Sequence, residues 1–295
     1  MGRQYASMVF VNVMWGLSFI FSKHAMLAGF PALTLAFLRY VVAASLLCPM
    51  VLFKEKRMRL AKRDVAPMFL SALVGITLYY AFEYAGIQRT STVNASLILA
   101  AIPIITMIVE AVVYRTGLNT RQILGSFVSL AGVALVVATG ADEENASIVG
   151  DLCILGAAIV WVCYIFISRS LRNRYSSLSM NAWQALASLA TLLPMALTEQ
   201  AQWQPVPWDG WAAMIILAVV CSALCYWIYG NALLELSPLA SAIFINLIPL
   251  TTILGGVFFL GESLSWLQGL GGVLIVSSIF VINLSGSKKK ACKTR

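Results

Sequence analysis

Two ionisable residues sit where charge is costly. Arg39 falls inside an apolar run, roughly 13 Å along a helix that would begin near Pro31. That is too deep for a simple head-group anchor. It reads either as an anion-binding or gating charge facing a cavity, or as a structural salt-bridge partner or snorkelling side chain. Glu83 lies in another apolar run beside Tyr79, Tyr80 and Tyr84. It reads as a proton- or cation-binding carboxylate, or as the structural partner of Arg39 or Arg89. Glu110, near the end of a run, is expected to meet Arg115 or Arg121 rather than a solute. The remaining chemistry is thin. There is one histidine, His24, and none of the six cysteines forms a CxxC pair. Nothing gathers the three or four ligands that a metal needs. Walker, GxGxxG, HExxH and GxSxG patterns are absent. No enzyme activity, metal or cofactor is expected.

Aromatic and amide side chains extend the list of candidates that could line a cavity. Trp15 and Trp161 fall near the centres of apolar runs, away from the interfaces where aromatic belts form. Trp183, Gln184, Tyr80 and Tyr226 follow the same logic, as do Asn94 and Asn246 as hydrogen-bonding groups. Ordinary packing against small residues is the alternative for the tryptophans. Pro103 and Pro249 lie within runs, and each would free a carbonyl, of Leu99 and Ile245. They are hinge candidates, or else static kinks.

The elements that must position these residues are membrane helices. The chain has 295 residues, of which 60% are hydrophobic and 11% charged. A soluble domain carries about 25% charged residues. Roughly 20 apolar residues cross a bilayer, and ten such spans are readable. They run Tyr5–Leu27, Leu33–Phe53, Ala66–Gly86, Ser91–Val113, Arg121–Ala138, Val149–Ile167, Ser179–Leu197, Trp211–Leu233, Pro238–Leu260 and Trp266–Leu284. Of the 20 Lys and Arg residues, all but Lys23, Arg39 and Arg89 fall on the side that holds both termini. By the positive-inside rule that side is cytoplasmic. This asymmetry explains the net charge of +8 without a nucleic-acid partner. The basic tail, residues 287–295, is expected to touch anionic head groups.

The chain also repeats. A shift of 146 residues lays Trp15 on Trp161, Ser22 on Ser168, and Lys23 on Arg169. It also lays Tyr80 on Tyr226, Ile102-Pro103 on Ile248-Pro249, Thr106 on Thr252, and Gln122 on Gln268. Two units follow, 1–140 and 147–286, each of five spans. An odd number of spans turns the second unit upside down. The expected fold is therefore an all-α integral membrane protein of ten transmembrane helices in two inverted five-helix repeats, a pattern typical of alternating-access carriers. Gly125, Ser129 and Gly132, with Gly269 and Gly272, form small-residue faces suited to packing between the halves or to a dimer contact. A monomer or a homodimer fits equally.

Several segments resemble the EamA-type branch of the drug/metabolite transporter superfamily. They are Trp15-Gly16-Leu17-Ser18-Phe19, Phe37-Leu38-Arg39-Tyr40, Asn94-Ala95-Ser96 before Ile102-Pro103, and Leu260-Gly261-Glu262 before Gln268-Gly269. The order of the segments and the repeat carry the resemblance, which covers essentially the whole chain. It implies ten spans, a central cavity, and export of metabolites or amino acids. The family's glutamate after the ninth span is present as Glu262, whereas its first-half counterpart is Thr116. Glu262 itself reads as a loop-turn or helix-start residue. The expectation is a secondary transporter in the cell membrane that moves small organic solutes, amino acids, amines or drug-like molecules, in the direction of efflux. Protons are a candidate coupling ion. An importer of the same architecture, and a membrane enzyme acting on lipid-linked substrates, are the alternatives.

Overall fold

A computed structural model describes residues 2–115, 117–118, 120–139, 147–235 and 247–290. The chain enters with α1 (Gly2–Leu27) and α2 (Ala32–Glu55). Next come α3 (Val65–Ala72) and α4 (Tyr79–Ile87), joined without a break by a π-helical turn, Leu73–Leu78. The helices α5 (Thr92–Leu99), α6 (Ile102–Val113) and α7 (Thr120–Thr139) complete the first half. The second half holds α8 (Ile148–Arg172) and α9 (Ser177–Thr198), then α10 (Trp208–Ile216) and α11 (Cys225–Glu235) across a second π-helical turn, Leu217–Leu224. It ends with α12 (Leu247–Leu260) and α13 (Trp266–Lys290). Seven stretches among the described residues are long and apolar enough to cross a membrane, and α12 and α13 add shorter apolar segments. The protein is a multi-pass membrane protein.

Local features recur at the 146-residue shift. The two π-turns end on Leu78 and Leu224. Pro49 lies inside α2 and Pro194 inside α9, at a shift of 145. Thr106 Oγ1 donates to the Ile102 carbonyl at 2.8 Å, and Thr252 Oγ1 to the Ile248 carbonyl at 2.9 Å. Each hydroxyl adds a side-chain donor to the helical carbonyl that precedes a proline.

Packing links the halves. The N-terminal end of α2 meets the C-terminal end of α9 through Thr34 and Glu199, and the opposite ends meet through Glu55 and Ser176, so these helices run antiparallel. Between α7 and α13, a Cβ on Gly132 would meet the Gly271 carbonyl at 2.7 Å, and one on Gly271 would meet the Gly132 carbonyl at 2.7 Å. Only glycine permits that approach. The small-residue faces of α7 and α13 thus pack the halves against each other, although Gly269 faces open space. The helix α1 runs alongside α12, where Thr252 Oγ1 donates to the Gly16 carbonyl at 2.9 Å.

One expected span differs in form. The stretch Ser91–Val113 is not a kinked helix but two helices with a turn at Ala100 and Ala101. Pro103 stands in the first turn of α6, where a missing N–H costs nothing. The turn is closed by Ala101 N donating to Ile98 O at 3.1 Å and Ile104 N donating to Ala101 O at 3.0 Å.

Candidate functional site

The walls of a central chamber come from α2, α4, α8 and the π-turns. Arg39, on α2, is 3% exposed. Its Nε donates to Ser222 Oγ in the second π-turn, and Nη1 donates to the Tyr84 hydroxyl at 3.2 Å. The guanidinium also lies over the Tyr80 ring, 4.9 Å from its centroid. A guanidinium has five N–H donors, so most of its hydrogen-bonding capacity is unspent on the described residues. Glu83, one turn below Tyr79 on α4, is 7% exposed and accepts from the Tyr79 hydroxyl at 2.8 Å. Among the described residues neither Arg39 nor Glu83 is in an ion pair. The expected alternative pairing of Glu83 with Arg39 or Arg89 is therefore not what the structure contains. Arg89 instead donates to the Ala85 carbonyl at 2.8 Å.

Aromatic rings continue the wall. Tyr80 stacks on Tyr40 at 5.7 Å and on Tyr84 at 5.1 Å. Trp161 on α8 lies 5.0 Å from both Tyr79 and Tyr164. Trp15 on α1 lies 5.3 Å from Tyr226 and 5.0 Å from Tyr229, with its Nε1 donating to the Cys221 carbonyl at 3.2 Å. Each tryptophan of the repeat pair thus meets at least one tyrosine from the other half, Trp161 through Tyr79 and Trp15 through Tyr226 and Tyr229. The backbone approaches closely at Gly75, where a Cβ would run into the Tyr164 ring. The void bounded by Tyr40, Gly75, Trp161, Ser222 and Tyr226 is only about 20 Å³, room for about one water.

Of the sequence candidates, Trp15, Arg39, Tyr80, Glu83, Trp161 and Tyr226 come together here. Gln184 borders the group, accepting from the Tyr164 hydroxyl at 3.4 Å and donating to Ser71 Oγ at 2.9 Å. Trp183 lies elsewhere, packed near Met68, Leu171 and Met180. Asn94 belongs to a second polar network at one end of the bundle. Asn246 lies outside the described residues.

That second network was mostly unread in the sequence. Glu262, in the loop after α12, accepts from Lys23 Nζ at 3.0 Å, Thr92 N at 2.9 Å, Thr92 Oγ1 at 2.8 Å and Val93 N at 3.1 Å. It does sit at a helix start, but the helix is α5, from the other half. The carboxylate satisfies first-turn amides and lies at the positive end of the α5 dipole. Beside it, Asp151 in the first turn of α8 is fully buried and accepts from Thr90 Oγ1 at 2.6 Å and Asn94 Nδ2 at 3.4 Å. Gln268 Nε2 donates to Asn94 Oδ1 at 2.9 Å. Asp151 carried a readable signal, a carboxylate within the apolar run Val149–Ile167.

At the other end Glu110 pairs with Arg169 at 3.7 Å, rather than with Arg115 or Arg121. Arg169 also donates to the Tyr114 hydroxyl at 2.7 Å. A cavity of about 300 Å³ opens beside them, reaching Met107 and Gln122. No group of three or more His, Cys, Asp or Glu residues that could hold a metal occurs among the described residues.

Known proteins share this plan. The EamA-like transporter family matches the chain twice, over residues 3–138 and 148–284. An uncharacterized transporter of Archaeoglobus fulgidus is 26% identical, covering 91% of this chain and 93% of that protein. A probable amino-acid metabolite efflux pump of Salmonella typhimurium is 28% identical over 92% of this chain and 91% of its own length. An S-adenosylmethionine/S-adenosylhomocysteine transporter of Chlamydia trachomatis is 28% identical over 87% of this chain and 82% of its own. A solved crystal structure of a protein 16% identical superposes with a TM-score of 0.69, covering 98% of this chain and 99% of that one.

Proposed function

The chain belongs to the EamA-like transporter family and is a membrane transporter; from that premise we propose that it exports small zwitterionic solutes of the amino-acid type by alternating access. The observation that carries this reading is the pair of buried, opposite charges, Arg39 and Glu83, which share one chamber wall without neutralising each other. A lone charge at membrane depth is expensive, and an ion pair would relieve much of that cost. Keeping the charges apart leaves Arg39 for a carboxylate and Glu83 for an ammonium. Tyr80, Trp15, Trp161 and Tyr226 then cover the side chain of the solute. The name of one relative, a probable amino-acid metabolite efflux pump, is in keeping with this solute class and direction, and another is named an S-adenosylmethionine/S-adenosylhomocysteine transporter.

Two inverted copies of a five-helix unit, 1–140 and 147–286, supply the moving parts. The matched π-turns, the matched prolines with their threonine donors, and the antiparallel α2–α9 and α7–α13 contacts support this arrangement. Ten spans place both termini in the cytoplasm of a cell-membrane protein, following the Lys and Arg bias. Pro103 and Pro249 are the hinges, and Pro103 follows the break at Ala100–Ala101. Glu83 also carries the proton, if transport is coupled to one.

Proteoliposomes loaded with a labelled neutral amino acid test this. Arg39→Gln and Glu83→Gln should each slow exchange about tenfold or more, the effect of losing one charge-assisted hydrogen bond, while the elution profile in detergent stays that of the native protein. Exchange at the native rate in Arg39→Gln would remove the reading. Proton coupling is lost as an idea if a pH gradient leaves the native rate unchanged.

A further inference from the structure

A cleft of about 940 Å³ lies at the end of the bundle away from Lys23, between the loop before α3 and the facing ends of α8 and α9. None of the residues above that hold or gate the solute uses it. Its floor is apolar, with Leu60, Tyr175 and Trp183 packed on Met68, Leu171 and Met180. Its rim is basic, with Arg59, Arg63 and Arg174 against the single carboxylate Asp64. Asp64 is already committed: it is 2% exposed and takes Arg174 Nη1 and the Tyr175 hydroxyl. The same Tyr175 oxygen accepts from Ala61 N at 3.1 Å, which ties the loop in place. Arg59 and Arg63 are left exposed, without an ion pair among the described residues. Trp183 Nε1 is a buried donor with no acceptor among them.

The cleft also has an apolar exit. Val65, on its edge, and Phe69, one turn further along the same face of α3, are 50% and 43% exposed. A track of apolar surface therefore leads from two uncompensated guanidinium groups along a membrane helix. A free anion would match the rim and leave the track bare. An amphiphile would match both. The Lys and Arg bias puts this end at the cytoplasmic leaflet, where anionic lipids gather. We propose that the cleft binds one anionic phospholipid, its phosphate between Arg59 and Arg63, with Trp183 Nε1 as a further donor and an acyl chain along Val65 and Phe69.

The full chain in nanodiscs tests the proposal. Native mass spectrometry should find phosphatidylglycerol retained over phosphatidylcholine. In Arg59→Gln/Arg63→Gln retention should fall roughly tenfold or more. Lys288→Gln/Lys289→Gln/Lys290→Gln, which removes more charge from the tail, should keep the native preference. Equal loss in both variants would mean diffuse electrostatics and overturn the site. Retention unchanged in the Arg59/Arg63 variant would do the same. If inorganic phosphate alone raises the thermal midpoint as much as phosphatidylglycerol does, the cleft takes a free anion and the lipid assignment fails. Thermal unfolding of each variant in phosphatidylcholine, expected to match the native protein, separates loss of the site from loss of fold.

Discussion

The two ends of the bundle are sealed by different chemistry. At one end the Lys23–Glu262 pair is 19% and 9% exposed, and the carboxylate also holds two backbone amides and a hydroxyl of α5. The buried Asp151–Thr90–Asn94–Gln268 chain lies directly behind it. At the other end the Arg169–Glu110 pair is 61% and 53% exposed and borders an open cavity of about 300 Å³. Lys23 and Arg169 are repeat counterparts, yet Thr116 stands where the shift would place a second Glu262. The two ends are therefore not equivalent. A carboxylate shielded from water and holding several donors makes a strong latch, whereas a solvated pair is worth little. In this structure a shielded carboxylate holds the Lys23 end and an exposed pair holds the Arg169 end.

The largest break in that comparison should come from Glu262→Ala. Thr92 N and Val93 N would lose their acceptor, and Lys23 would keep only the Thr90 carbonyl. Removing one partner from a shielded pair costs about 3–5 kcal/mol. A fall of that order in thermal stability is expected, along with fast amide exchange at Thr92 and Val93, which hydrogen-exchange mass spectrometry would read. Slow exchange at those amides in the variant would show that the carboxylate is not the latch. Glu262→Gln keeps one acceptor oxygen and should fall between the two. Asp151→Asn comes next. It keeps the shape but removes the charge that Thr90 and Asn94 donate to, for a loss of about 1.5–3 kcal/mol. Its effect should appear as faster exchange at the start of α8, with Thr92 and Val93 still protected. If Asp151→Asn also exposed those two amides, the network would be one cooperative unit instead of a latch with a support behind it.

The chamber was more legible in the sequence than the latch. Arg39 and Glu83 announce themselves because a charge inside an apolar run has few harmless explanations. Trp15, Trp161, Tyr80 and Tyr226 stand out because the repeat pairs them. The latch is assembled from groups 170 residues apart, Thr92 and Glu262, and 61 apart, Thr90 and Asp151. Nothing local marks them as partners. Asp151 sits near the edge of its run, where a carboxylate also suits any helix start. The two π-turns left no compositional trace, and the close approach of Tyr164 to Gly75 in the first of them is a tertiary contact. Pro103 was visible, but whether a proline kinks a helix or follows its end depends on the preceding turn. Here Ala100 and Ala101 close that turn with their own hydrogen bonds. Trp183 shows the same limit from the other direction. It adjoins Gln184, which borders the chamber, yet it turns to a separate cleft, because neighbours on a helix point about 100° apart.

The smallest effect belongs to the open end, and it sharpens the contrast by being small. Glu110→Ala removes half of the exposed Arg169 pair. Arg169 keeps its hydrogen bond to the Tyr114 hydroxyl and its stacking over that ring, 5.1 Å from the centroid. Water replaces the lost carboxylate at little cost, so stability should change by about 0–1 kcal/mol. The exchange pattern at Thr92 and Val93 should be untouched. A loss as large as that of Glu262→Ala would mean that the exposed pair is also a lock, and the asymmetry between the ends would disappear. A faster solute exit from proteoliposomes, with stability unchanged, would instead show that this pair restrains opening of the Arg169 end, and it would place the weaker gate there.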